Sequence, residues 1–341
     1  MRIRGIRSAV ILATVAVVGA ACSSNSSSST GAGSGGGSLT GSINISGSST
    51  VLPISQLVTE EFNASNPDVQ TSVDGPGTGD GFVLFCDGKT DISDASRPIA
   101  DDEKKACEKG GVNYVELKIG LDGITVMTNP ANSAVTCLND GDLYALFGPQ
   151  SEGIDTWSGA DSLAKKVGGT GNFPDLPLAI TAPGEESGTY DAFIELAGIE
   201  DIALSQGVSE DDAATLRPDY QSSPNDNVII QAMENDQSGL GFVGFAYADQ
   251  QGESIKKLQV DGGDGCVEPS KDTIADSSYP LSRSLYIYVN TDKVASSPAL
   301  KAFVDFYLSD EGITAVTDSD YVAIPQDQLD ATRQAWTSAS S

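Results

Sequence analysis

From Ile43 onward the chain alternates short β-branched runs with stretches whose apolar residues return every three or four positions. Residues 43–45 predict a short strand. Ile54, Leu57, Val58 and Phe62 then share one face of a helix. Residues 69–73 predict the next strand, Phe82 and Phe85 open a short helix, and residues 91–93 are briefly β-like. Residues 114–119 and the run LDGITVMT at 121–128 read as two further strands. The rhythm then repeats, with a helix at 143–146, a strand at 178–181, and a helix face made by Tyr190, Phe193, Ile194 and Ala197. A helix at 228–233, strands at 241–245 and 285–289, and an amphipathic helix at 298–308 complete the pattern. Such βαβα order predicts an α/β sheet with helices on both faces. No internal repeat is visible. Roughly 300 folded residues are more than one core comfortably holds, so two lobes are expected, with 121–128 and 281–290 as candidate crossings.

The first 41 residues carry a different pattern. Arg2, Arg4 and Arg7 precede an apolar run at 9–18, followed by Gly19, Ala20, Ala21 and Cys22. A basic start, a short apolar core and a small-residue exit predict a secretory signal over 1–21. The run is too short for a membrane span. A Cys directly after the small residues resembles a bacterial lipobox, which implies lipidation of Cys22, palmitate included. Gly19 departs from that pattern, since a larger aliphatic usually stands there. Residues 22–41 then read as the lipidated Cys and a Ser/Gly linker, with a mean reach of roughly 25 Å.

Charge narrows the function. The chain has 19 Lys+Arg, 48 Asp+Glu and no His, for a net charge of −29. Removing the three leader arginines gives 16 − 48 = −32. Without His there is no Ser-His-Asp or Cys-His catalysis and no His-ligated zinc. Such acidity excludes a nucleic-acid binder, which needs a basic face, and polybasic docking on anionic lipid. Four cysteines remain after Cys22: Cys86, Cys107, Cys137 and Cys266. An even count in an exported chain predicts two disulfides, and three pairings are open. Closure of a local loop favours Cys86–Cys107, leaving Cys137–Cys266. With no CxxC pair, a metal site is not expected.

The informative feature is a set of small-residue clusters at the entries to helices. GSSTVLP at 47–53 places Pro53 in a first helical turn and offers Ser49 or Thr50 as N-cap. The same exposed N–H groups can bind an anion. GPGTGDG at 75–81 lets the backbone approach a ligand closely and can form an anion-binding nest. GEESGTY at 184–190 adds the hydroxyls of Ser187 and Thr189 and the N–H groups of Gly188 and Thr189. As plain structure these are N-caps and turns. DISDASRPI at 91–99 supplies Asp94, Ser96 and Arg97, one cation among few, able to pair with an oxyanion or with any of many acids. Together they predict a desolvated pocket for a tetrahedral oxyanion. A carboxylate there could accept the proton of hydrogen phosphate while repelling sulfate. Other features are set aside: Trp157 and Trp336 as packing or surface, DGGDG at 261–265 as a loop without the EF-hand pattern, and Glu60, Glu61 and Asp101, Asp102, Glu103 as solvated helix termini.

At these residues the chain resembles the phosphate-binding protein of the bacterial high-affinity phosphate ABC importer. The resemblance runs from about Ile43 to Pro325, through GSSTVLPI, GPGTGDGF, DISDASRPI, GLDGITVMTNP, ESGTYDAF, NDNVIIQAMENDQSGLGFVGFAYA and YPLSRSLYIYVN. It implies a type II periplasmic-binding-protein fold, two α/β lobes joined by crossing hinge strands, with 42–127 plus 282–341 as lobe I and 128–281 as lobe II. It implies phosphate ligands at Ser49, Thr50, Val51, Thr78, Ser187, Gly188 and Thr189. Ser96 stands where relatives place an acceptor aspartate, so that task passes to Ser96 or Asp94. The family's arginine before the SGT triplet is absent, Pro183 standing in its place, so the cation is Arg97 or Arg283. The implied protein is a monomeric, lipid-anchored, extracytoplasmic phosphate binder with no cofactor and no enzymatic activity. It would hand phosphate to membrane permease and ATPase subunits. Rival readings are a binder of another tetrahedral oxyanion, a carboxylate-dependent surface hydrolase and an adhesive lipoprotein.

Overall fold

The computed structural model describes residues 38–341. The signal segment, Cys22 and most of the linker lie outside the described residues. Strand β1 (Gly41–Gly47) begins inside the segment assigned to the linker and leads to α1 (Leu52–Ser65). Then come β2 (Val69–Asp74), α2 (Thr78–Cys86), β3 (Ile92–Ala95), α3 (Asp101–Gly110) and β4 (Tyr114–Thr128). Next are α4 (Asp140–Phe147), β5 (Ala179–Ala182), α5 (Gly188–Leu196), α6 (Asp226–Asn235) and β6 (Gly239–Gly244). Strand β7 (Ser282–Asn290), α7 (Pro298–Tyr307) and α8 (Gln326–Ala339) close the set that matters here.

One curled sheet runs β2-β1-β3-β7-β4-β6-β5. β1 pairs in parallel with β2 and β3, and β5 in parallel with β6, as βαβ crossovers require. β4 and β7 run antiparallel at the centre. β4 is one strand where the sequence pattern suggested two. Gly120 and Gly123 weaken the β pattern, yet every position from Ile119 to Thr128 is buried. A strand covered on both faces reads as a continuous apolar run, and its glycines make room for Val316 and Ile274. Against β7 the register slips between Leu285 and Tyr286, a bulge that bends the pair.

Two apolar cores sit at the ends of this sheet. One gathers Ile45, Val58, Phe62, Leu117, Ile119, Ile287 and Phe303; the other gathers Leu121, Ile124, Val126, Trp157, Phe193 and Phe242. β4 feeds both, giving the two-lobed α/β fold expected from sequence. Phe193 and Phe242 stack at 4.0 Å in the second core. Trp157 and Trp336 are both buried, and the Trp336 indole donates to Asp305 at 2.7 Å. Cys86–Cys107 ties α2 to α3, and Cys137–Cys266 clamps a separate small sheet, the pairing expected. In the 261–265 loop the Asp261 carboxylate accepts from the N–H groups of Gly263 and Gly265.

Three local expectations need correction. The strand at 239–244 ends before Phe245, which starts a short helix. Glu60 and Glu61 lie inside α1, not at its end. Glu103 is no solvated terminus: its carboxylate accepts from the Ala100 N–H at 2.7 Å and pairs with Arg97. Among the described residues no helix is long and apolar enough to cross a membrane.

Candidate functional site

Three loops of the first lobe are stitched together by their backbones. Ser48 N–H donates to the Asp94 carbonyl at 2.9 Å, and Gly77 N–H donates to the Gly47 carbonyl at 2.9 Å. A Cβ on Gly47 would sit 2.0 Å from the Asp94 carbonyl oxygen, and one on Gly81 would sit 2.4 Å from the Gly47 Cα. Only glycine permits this approach. The Thr78 hydroxyl lies 3.1 Å from the Ser96 hydroxyl and accepts the Ser96 N–H at 3.2 Å. Where these loops meet, a polar cavity of about 250 Å³ opens. Ser49 and Thr50, Thr78, and Ser96 and Arg97 form one wall, with Arg283 at the base. The opposite wall is α5 of the second lobe, through Asp191 and Glu195.

The helix cap differs from expectation. Neither Ser49 nor Thr50 caps α1: Val51 stands at the N-cap without a side-chain cap, and the Ser48 hydroxyl serves the turn before it, accepting from the Thr50 N–H at 3.2 Å and the Val51 N–H at 3.4 Å. Ser48 is 2% exposed at the end of a buried strand, which aims its oxygen inward. The hydroxyls of Ser49 and Thr50 are thereby left at the cavity. Val51 is fully buried and does not line it.

The two candidate cations are differently placed. Arg97 donates through both terminal nitrogens to the Glu103 carboxylate, at 2.8 and 2.7 Å, and its guanidinium sits 5.8 Å from the Phe82 ring centre. The Glu103 hydrogen bonds hold its pKa above the usual guanidinium value. Arg97 is thus largely committed, although its edge reaches the cavity. Arg283 is nearly buried, its side chain 8% exposed. Its Nε donates to Asp122 at 3.2 Å, one Nη donates to the Thr50 hydroxyl at 2.9 Å, and the other meets Glu195. Burial works against the charge on Arg283, but the Asp122 and Glu195 carboxylates outweigh it and raise its pKa.

Asp94 does not join the cavity. It is fully buried in β3, between β1 and β7, with both carboxylate oxygens unpartnered. Burial pushes its pKa up to about 7. Ser187 caps α5, accepting the Thr189 N–H at 3.2 Å. Neither Ser187 nor Gly188 lines the cavity, and Thr189 faces an adjoining 140 Å³ hollow that also holds Asp122 and Asp226. Of the residues singled out from sequence, Ser49, Thr50, Thr78, Ser96, Arg97 and Arg283 meet; Val51, Asp94, Ser187, Gly188 and Thr189 do not. Asp191 and Glu195 were missed. Their i,i+4 spacing on a predicted helix was the available signal.

A larger hollow of about 700 Å³ lies in the second lobe beside Glu185, Glu186 and Arg217. Its one arginine is held by Asp219 at 2.6 Å, and Glu152 and Asp212 also border it. Arg217 keeps one buried Nη without a partner, but Glu152, Glu185, Glu186 and Asp212 border the same hollow and disfavour an oxyanion there. Among the described residues no group of acids and cysteines could hold a metal ion.

Donor loops of one lobe facing a helix of the other across a polar cavity define a two-lobed solute-binding protein. The match to known families agrees: residues 26–311 fit the PBP superfamily domain. The chain belongs to that superfamily, whose members bind solutes for transport and are not enzymes. It is 41% identical over 288 residues to Protein SphX of Synechocystis sp., covering 84% of this chain and 79% of that one. It is 34% identical to the phosphate-binding protein PstS of Staphylococcus saprophyticus, covering 84% of this chain and 81% of that one. Among solved structures, a possible phosphate binding protein from Planctomyces limnophilus superposes with a TM-score of 0.79 at 32% identity, covering 89% of this chain and 99% of that one.

Proposed function

We propose that this protein captures inorganic phosphate outside the cytoplasm and delivers it to the permease and ATPase subunits of an ABC importer. The observation that carries the reading is the convergence of the Ser49, Thr50, Thr78 and Ser96 hydroxyls with the buried Arg283 guanidinium on one small cavity. Neutral donors and one cation at contact distance hold a compact oxyanion even under a negative net charge, because salt screens the distant field beyond about 8–10 Å. Arg283 is the principal cation and Arg97 an outer one. As lobe II (128–281) closes on lobe I (42–127 plus 282–341), Ser187, Gly188 and Thr189 at the start of α5 complete the shell. The ligand drives this closure only through its higher affinity for the closed state.

Cys22 carries the lipid that holds the domain at the membrane, on the linker that follows it. Asp94 is a poor acceptor for a ligand proton, since its carboxylate is turned away from the cavity. The test is calorimetric titration of phosphate into the protein starting near residue 42, with sulfate as competitor between about pH 5 and 8. Saturable binding of phosphate that sulfate barely displaces is the expected result. Equal displacement by sulfate, molybdate or arsenate would instead favour a general oxyanion binder.

A further inference from the structure

Arg283 meets three partners, and they are not equivalent. Asp122 lies directly across from it in the β4–β7 pair, and its side chain is 7% exposed. Thr50 is neutral and belongs to the same wall of the cavity. Glu195 comes from the opposite lobe and is 56% exposed. Of the two carboxylates on this guanidinium, only Glu195 can leave without stranding a buried charge. It lies one helical turn from Asp191 on the face of α5 that lines the cavity, so two like charges crowd the place an anion would occupy.

We propose that Glu195 is a built-in competitor of the ligand: its carboxylate occupies a face of Arg283 that an incoming oxyanion must take, and the exchange breaks a bond between the lobes. This inference rests on the phosphate reading and adds to it. An oxyanion able to hold Arg283 and several hydroxyls together displaces Glu195. An anion that reaches the guanidinium alone does not. The pair therefore raises the threshold for occupying the site and ties capture to freeing α5 from the base of the cavity.

The test compares phosphate titrations of the wild type, Glu195→Gln and Glu195→Ala at one ionic strength, with Glu200→Gln as a charge-matched control. Glu200 is exposed outside the cavity. Thermal melts establish that each variant is folded. Both Glu195 variants should bind phosphate about three- to tenfold more tightly, the range an exposed ion pair and its repulsion of a dianion can supply. Glu200→Gln should stay near wild type. Unchanged affinity in the Glu195 variants, or equal tightening in the Glu200 control, overturns the competitor role alone. Weaker binding with lost preference for phosphate over sulfate also overturns it, and makes Glu195 an acceptor for the ligand proton. Failure of the wild type to bind phosphate overturns both this inference and the function it rests on.

Discussion

The two walls of the cavity are made by opposite means. On the first, three loops are locked by backbone hydrogen bonds and by glycines that admit no side chain, so Ser49, Thr50, Thr78 and Ser96 are set before any ligand arrives. On the second, a single helix presents carboxylates, while its hydroxyl-bearing first turn points elsewhere. One wall is preorganised, and on the proposed reading the other moves, which would divide the work between affinity and response.

Removing Arg283 should break this comparison most severely, because it underlies the fixed wall. Arg283→Met leaves Asp122 buried and unpaired, and should cost about 3–5 kcal/mol of stability in denaturant titration. Adding Asp122→Asn should restore most of it. A stable single variant would mean the first wall does not depend on this pair.

Asp94 lies just behind the same wall, and its effect depends on pH. Its folded pKa is raised to about 7, so the folded state binds a proton more tightly than the unfolded chain does. The protonated form thus contributes stability that is complete below the unfolded carboxylate pKa and is lost as pH rises through about 7. Asp94→Asn should remove that slope and raise stability at pH 8 by about 2–4 kcal/mol relative to wild type. Urea titrations at pH 5 and pH 8 read the difference, and an unchanged slope would count against a buried, unpaired carboxylate.

The comparison sharpens with Thr50→Ala and Ser187→Ala. Each should weaken phosphate binding by about 1–3 kcal/mol in calorimetry, one from the fixed wall and one from the wall that closes. Wild-type affinity in Ser187→Ala alone would mean the second wall never reaches the ligand. The smallest effect belongs to Ser48→Ala, which strips the buried Thr50 and Val51 N–H groups of their acceptor and should lower stability by about 1 kcal/mol in a thermal melt.

Much of this was legible from local pattern. The spacing of Ile54, Val58 and Phe62 marks α1, and the glycine clusters mark where loops approach one another. The resemblance offered Arg97 or Arg283 as the cation, but local pattern could not choose between them, because Arg283 and Asp122 meet across 161 positions and only strand register brings them together. Ser49 and Thr50 were the cap candidates, yet Val51 takes that position and the Ser48 hydroxyl is spent on the turn before it. Residues 91–93 read as briefly β-like, but nothing in them told that the strand would be interior and buried at every position, which draws Asp94 into the core. Glu195 carried no signal beyond its spacing from Asp191; only the placement of α5 beside the cavity brings it to Arg283.

The central strand also constrains the kind of motion the molecule can make. Ile119 belongs to one core and Leu121 to the other, with only Gly120 between them. No slack tether separates the halves. The opening and closing of the proposed function would therefore be elastic flexure of a hydrogen-bonded ribbon, a restoring spring whose stiffness is set by β4, β7 and the bulge between Leu285 and Tyr286.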